Sequence, residues 1–125
     1  MNKNLKIDVD VERINDSPIA VFKIDGELDT VTYIDIFKPT LNAYKQQGFR
    51  RVIIDFSKLT VMTTSAIMGL CLSLKDCQSD MIYMVFCDMK PEMFENFKMY
   101  ANTEFDYCHS KNDAYRKMAT MERPS

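Results

Sequence analysis

The sequence has no excess of basic residues. Its 16 Lys and Arg stand against 18 Asp and Glu, a formal net charge of -2 over 125 residues. Nucleic-acid modules draw their affinity from a cationic patch, and no Lys/Arg cluster interleaved with aromatics supplies one here, so a general polyanion binder is excluded. Long apolar runs are also missing. None approaches the roughly 20 residues needed to span a bilayer, which excludes membrane insertion. The N-terminus, MNKNLKIDVDVERIN, alternates charge with single apolar residues and holds no signal-peptide core. A cytoplasmic location is the expectation. The four cysteines (Cys71, Cys77, Cys87, Cys108) form no CxxC pair and have no metal-ligand spacing. They read as free thiols used as small hydrophobes in a reducing compartment. Glycine is scarce, with three residues. None flanks Ser65, so no nucleophile elbow surrounds that serine, and Gly26 alone is too weak a signal for a phosphate cradle. The one histidine, His109, follows Cys108 directly, and neighbours on a strand point opposite ways, which argues against a Cys-His nucleophile pair. No cofactor is implied.

What is present is the pattern of one α/β domain spanning residues 1–125. The length is enough for a core without staples, and the 46% hydrophobic and 27% charged fractions are those of a globular chain. Leu5, Ile7, Val9 and Val11 alternate with charged residues, predicting a strand with one wet face. A turn at Asn15-Asp16-Ser17-Pro18 leads into a buried strand, IAVFKI, making an antiparallel hairpin. Gly26 is expected to break that strand and open the loop GELDT. Tyr33, Phe37, Leu41 and Tyr44 then recur at helical spacing, with Asp29 or Thr30 as N-cap. Pro39 inside this helix predicts a kink or a broken first turn. RVIIDF and MIYMVFC read as central strands, PEMFENFKMYA as a helix entered through Pro91, EFDYC as a short strand, and KNDAYRKMATM as a last helix. Residues 121–125 read as a frayed tail. After the hairpin, strands and helices alternate, which calls for a mixed, mostly parallel sheet of four to five strands with about four helices packed against it.

The segment between RVIIDF and the following helix carries three consecutive hydroxyls, Thr63-Thr64-Ser65. An N-cap needs one of them, Thr63 or Thr64. The alternative use is presentation of a hydroxyl to a kinase. Free N–H groups and the dipole at a helix start tolerate a phosphate locally, while its charge of about -1.5 to -2 would dismiss a partner docked nearby.

Three segments, VFKIDGELDT, RRVIIDFSKLTVMTTSAIMGL and KPEMFENFKMYANTEFDY, resemble a STAS domain. This is the family of bacterial anti-sigma factor antagonists and of the regulatory tails of sulfate transporters. The likeness covers nearly the whole chain and implies the STAS fold. The family's D-S-S-G falls on Thr63-Thr64-Ser65-Ala66, so the resemblance implies Thr64 as phosphoacceptor, with Ser65 the alternative. Two positions depart: Thr63 replaces the acid beside the acceptor, and Ala66 adds a methyl where the family has glycine. The GELD loop (Gly26, Glu27, Leu28, Asp29) is implied to lie beside the hydroxyls on a partner-binding face. Met62 and Met68 flank the trio and offer adaptable contact surface. The partner-binding set is thus Gly26, Glu27, Asp29, Met62, Thr63, Thr64, Ser65, Ala66 and Met68.

The function implied is a non-enzymatic switch, an anti-sigma factor antagonist-like protein. Its partners would be a serine/threonine kinase-type anti-sigma factor and a matching phosphatase, acting in transcription regulation by partner switching. An alternative within the family is a non-phosphorylated STAS subunit of a larger complex, such as an ABC lipid-transport system. A hydrolase using Ser65 with His109 ranks last.

Overall fold

The computed structural model describes residues 4–120. The tail expected to fray, residues 121–125, lies outside them. β1 (Leu5–Ile14) and β2 (Ser17–Leu28) pair antiparallel from Leu5 opposite Gly26 to Ile14 opposite Ser17. Asn15 and Asp16 join them with φ of 52° and 63°. Two left-handed residues form a turn whose twist matches that of the paired strands. Gly26 does not end β2, contrary to the sequence expectation. It sits inside the strand at φ +113°, beside a register shift against the next strand, where a Cβ would come 2.1 Å from the Asn4 carbonyl oxygen. Only glycine permits that approach.

Helix α1 (residues 30–46) opens with an α turn, Thr30–Thr32, widens into a π-helical stretch, Tyr33–Phe37, and continues as α-helix over Lys38–Gln46. The wide turn is how the helix accommodates Pro39. In α geometry the proline ring would collide with the Asp35 carbonyl, and the Lys38 N–H instead reaches back five residues to the Tyr33 oxygen. The expected kink or broken first turn is thus replaced by a π bulge. Tyr33, Phe37 and Leu41 keep their buried positions through it.

β3 (Arg51–Met62) is twice the length of the expected strand. Its first six residues are buried, as the run RVIIDF requires. The remainder, Ser57–Met62, stays extended because it pairs with residues 25–28 of β2. Then follow α2 (Thr64–Ser79), β4 (Tyr83–Cys87), α3 (Pro91–Tyr100), β5 (Asp106–Cys108) and α4 (Lys111–Thr120). Met81, expected in the fourth strand, instead turns the chain at φ 59°.

The sheet order is β1-β2-β3-β4-β5, with β1 antiparallel and every other pair parallel. This is the mixed sheet expected from the alternation of elements, with four helices among the described residues. On one face, Phe22, Ile24, Ile54, Phe56 and Phe86 pack with Phe37 and Leu41 of α1, Ile67 and Leu70 of α2, and Phe97 of α3. On the other, Ile19, Val21, Ile53, Val85 and Cys87 meet Ala114 and Met118 of α4. The end of α4 is held by the Arg51 guanidinium, donating to the Met118 carbonyl at 3.1 Å, and by the Asn15 amide, donating to the Ala119 carbonyl at 3.0 Å. Such donors satisfy the carbonyls that a helix C-terminus leaves open. All four cysteines are free thiols; Cys71, Cys77 and Cys87 are buried. Burial pushes the Cys77 thiol up to about 11. Among the described residues no helix is long and apolar enough to cross a membrane.

Candidate functional site

Because β2 and β3 run parallel, α1 and α2 begin at the same end of the sheet. Leu28 lies opposite Met62 and Glu27 opposite Val61. GELD and the hydroxyl trio are therefore neighbours, and the Thr63 N–H donates to the Leu28 carbonyl at 3.0 Å. Gly26 lies two residues before Leu28 on β2, opposite Leu59 of β3. Ala66 is buried in the first turn of α2 and leaves the outer surface to its neighbours.

Each helix start has its own cap. Asp29 caps α1: its carboxylate accepts from the Thr32 N–H at 2.9 Å, and the Thr32 hydroxyl oxygen accepts from the Asp29 N–H at 2.9 Å. This reciprocal pair is a capping box. The Thr32 amide, helped by the Thr32 hydroxyl, holds the Asp29 carboxyl below the usual aspartate range. Thr63 caps α2, its hydroxyl accepting from the Ala66 N–H at 3.2 Å. Of the two candidate caps in the trio, the structure selects Thr63. Glu27 is occupied too, its carboxylate accepting from the Asn4 side chain at 2.9 Å.

The three hydroxyls thus have different states. Ser65 is tied twice, to Thr30 Oγ1 at 2.6 Å and to Thr63 Oγ1 at 3.1 Å, and so bridges the starts of α1 and α2. Thr64, the first residue of α2, is exposed, and its hydroxyl makes no hydrogen bond among the described residues. Two helix N-termini with their positive dipole ends lie side by side here.

The elements that meet at this loop also carry exposed apolar side chains. Met68 and Leu72 follow Thr64 at intervals of four, the spacing of one helix face, and both are exposed. Val31 and Ile34 on α1 and Val61 at the end of β3 are exposed as well. Met62, the last residue of β3, is half-buried. Lys90, entering α3, donates from Nζ to the Leu59 carbonyl at 3.1 Å and places a cation near the same end of β3.

Sequence reasoning named Met68, offered Thr30 only as a candidate cap, and missed Val31, Ile34, Val61 and Leu72. The signal was there for the helix residues: Val31 and Ile34 fall off the Tyr33-Phe37-Leu41 stripe, and Leu72 shares a face with Thr64. For Ser65 and His109 the structure gives different partners. His109 packs edge-on against Phe94 and Tyr107, 6.4 and 5.5 Å between ring centres.

Close packing fixes the two helices against each other. Gly69 of α2 faces the Tyr33 ring, where a Cβ would lie 2.8 Å from two ring carbons. Tyr33 stacks on Phe37 with centres 5.8 Å apart, and its hydroxyl hydrogen-bonds Ser73 of α2.

This architecture is the SpoIIAA-like STAS fold. The STAS domain profile matches residues 9–111, and the chain belongs to the STAS domain family. Among solved structures it is similar to the anti-sigma factor antagonist SpoIIAA in its unphosphorylated form, at 16% identity and TM-score 0.65, covering 91% of this chain and 100% of that one. A serine-to-glutamate variant of RsbS from Moorella thermoacetica superposes with TM-score 0.70 at 17% identity, over 90% of this chain and 98% of that one. An anti-sigma factor antagonist from Mycobacterium paratuberculosis gives TM-score 0.71 at 16% identity, over 90% and 93%. None of the curated proteins matches the chain.

Proposed function

We propose that this protein is an anti-sigma factor antagonist-like switch. It captures a serine/threonine kinase-type anti-sigma factor on the face formed by GELD, the hydroxyl loop and the outer sides of α1 and α2. Phosphorylation of Thr64 ends the capture, and a matching phosphatase restores it. The protein itself is not a catalyst and acts in the cytoplasm.

The observation that carries this reading is the division of labour among the hydroxyls. Thr63 is consumed as a cap and Ser65 as a bridge, whereas Thr64 is exposed and makes no hydrogen bond among the described residues. A phosphate on Thr64 would sit at a helix start, where N–H groups and dipole favour an anion. The fold therefore tolerates the modification, while an apolar contact made by Met68, Leu72, Val31 and Ile34 does not. In support, the neighbour SpoIIAA exists in phosphorylated and unphosphorylated forms, the former matching this chain with TM-score 0.60 at 17% identity.

One feature favours the alternative of a constitutive subunit, for example in an ABC lipid-transport complex. Thr63 is neutral and committed to capping, so no acid stands beside the acceptor. Incubation with the cognate anti-sigma kinase and ATP, followed by intact mass, separates the two. A single phosphate adduct that disappears in Thr64→Ala supports the switch. Binding without any adduct leaves the trio as contact surface and supports the subunit. Loss of the adduct in Ser65→Ala but not in Thr64→Ala would move the acceptor by one residue.

A further inference from the structure

On the sheet face covered by α4, away from the hydroxyl loop, Asp55 and Cys87 are register partners on β3 and β4, and Asp88 follows Cys87. One carboxylate oxygen from each aspartate and the Cys87 sulfur lie within 4.8 Å of one another. Asp55 is 5% exposed and Cys87 fully buried. Three groups of metal-ligand type thus converge at one point of the sheet, two of them on buried residues.

No ion pair among the described residues places a cation on this cluster. Lys23, the β2 neighbour of Asp55 in register, is within electrostatic reach of Asp55 and forms its ion pair with Asp10 at 2.6 Å. Lys117 is held by Asp106 at 3.0 Å. Lys111, at the start of α4, is within electrostatic reach of Cys87 but makes no salt bridge there.

The hydrogen bonds sharpen the arrangement. The Ser57 N–H donates to Asp55 Oδ1 at 2.9 Å, and the Lys111 N–H donates to Asp88 Oδ2 at 3.0 Å. Each carboxylate is thereby oriented through one oxygen, while its other oxygen has no hydrogen bond among the described residues. The Cys87 thiol, with no exposed surface, has no hydrogen-bond partner either. Metal ligands are oriented in the same way, by a second hydrogen bond that leaves the donor atom directed at the ion.

We propose that Asp55, Cys87 and Asp88 bind one thiophilic divalent cation of the Zn²⁺ class, with water as the fourth ligand. A sulfur donor selects against Mg²⁺ and Ca²⁺, and two carboxylates with one thiolate suit a four-coordinate site. Tetrahedral bond lengths put ligand atoms about 3.5 Å apart, so the cluster closes by roughly 1 Å on binding. Asp88, half-buried where the chain leaves β4, provides that movement. As the sulfur–metal bond forms, the thiol proton passes to solvent, and nothing is oxidised or reduced.

The test uses the purified full chain, stripped with a chelator and titrated with Co²⁺ alone. One equivalent should bind and produce a near-ultraviolet sulfur-to-cobalt charge-transfer band that Zn²⁺ abolishes. Cys87→Ser should remove the band, Cys108→Ser should leave it, and Asp88→Asn should weaken Co²⁺ binding by more than about tenfold. Asp88→Asn lies outside the packed core, and its circular dichroism shows whether it folds, so a loss of binding is not confused with a loss of structure. Absence of the band at millimolar Co²⁺ overturns the proposal, as does a band that survives Cys87→Ser. Unchanged Co²⁺ affinity in a folded Asp88→Asn protein overturns it equally.

Discussion

Gly69→Ala sets two effects of opposite sign against each other at the contact that aligns α1 with α2. Alanine in the middle of a helix is favoured over glycine by about 0.8–1.0 kcal/mol. Against this, the new methyl would meet the Tyr33 ring at 2.8–3.0 Å. Such a contact is relieved cheaply only if the ring can swing away. Tyr33 cannot, because it is stacked on Phe37 and its hydroxyl is bonded to Ser73. The relief must then come from moving α1 off α2, and overpacking of that kind costs about 1–3 kcal/mol. The net expectation is a loss of roughly 1 kcal/mol, or about 4 °C in melting temperature for a domain of this size. Urea unfolding of wild type, Gly69→Ala and the double variant Gly69→Ala with Tyr33→Ala measures it. In the double variant the methyl has room, so alanine at position 69 should become stabilising. If Gly69→Ala alone raises stability, the claim that Tyr33 is pinned between the helices is wrong.

Phe56→Ala should cost about 3–5 kcal/mol in urea unfolding, because the ring is fully buried and meets Phe86 edge-on at 5.4 Å. Thr63→Ala should cost about 0.5–2 kcal/mol as loss of an N-cap, and Thr64→Ala clearly less; the reverse order would mean that the cap is misassigned. Asp29, whose carboxyl is held low by the Thr32 amide, should titrate below the usual aspartate value in a carbon-detected NMR titration. Since its folded pKa is depressed, its capping contribution is complete above the unfolded value of about 3.9 and disappears as pH falls through the folded one. A midpoint at or above the ordinary value would count against the capping box. In native protein a thiol reagent should reach Cys108 first, with Cys71, Cys77 and Cys87 reacting only on unfolding and four thiols found in total.

The alternation of Leu5, Ile7, Val9 and Val11, the apolar run Val52–Phe56 and the Tyr33-Phe37-Leu41 spacing were enough to read the mixed sheet and its helices, although along β1 only Leu5 is buried, Ile7 and Val9 are half-buried and Val11 is exposed. What stayed hidden depended on partners distant in sequence. Gly26 reads locally as a break, yet the strand passes through it because Asn4 lies against it and β3 pairs beyond it. Ser57–Met62 lacks an apolar run, and only pairing with β2 keeps it extended. Pro39 announces a disturbance without saying which, since a π turn and a kink relieve the same clash. At the site, the hydroxyl trio was visible, but which hydroxyl is free was not. That depends on Thr30, 35 residues from Ser65 and brought to it by the parallel pairing of β2 and β3.

On the proposed reading, Thr64 stands on a docking face where charge is tolerated by the fold and not by the partner. Calorimetric titration of the cognate anti-sigma kinase with wild-type protein and with Thr64→Glu tests it most directly, with melting temperatures of both recorded alongside. The melting temperature should be nearly unchanged, because a carboxylate in the first turn of α2 complements the helix dipole. Binding should weaken by at least about tenfold, or ~1.4 kcal/mol. Thr64→Glu that melts like wild type and binds the kinase with undiminished affinity would contradict it.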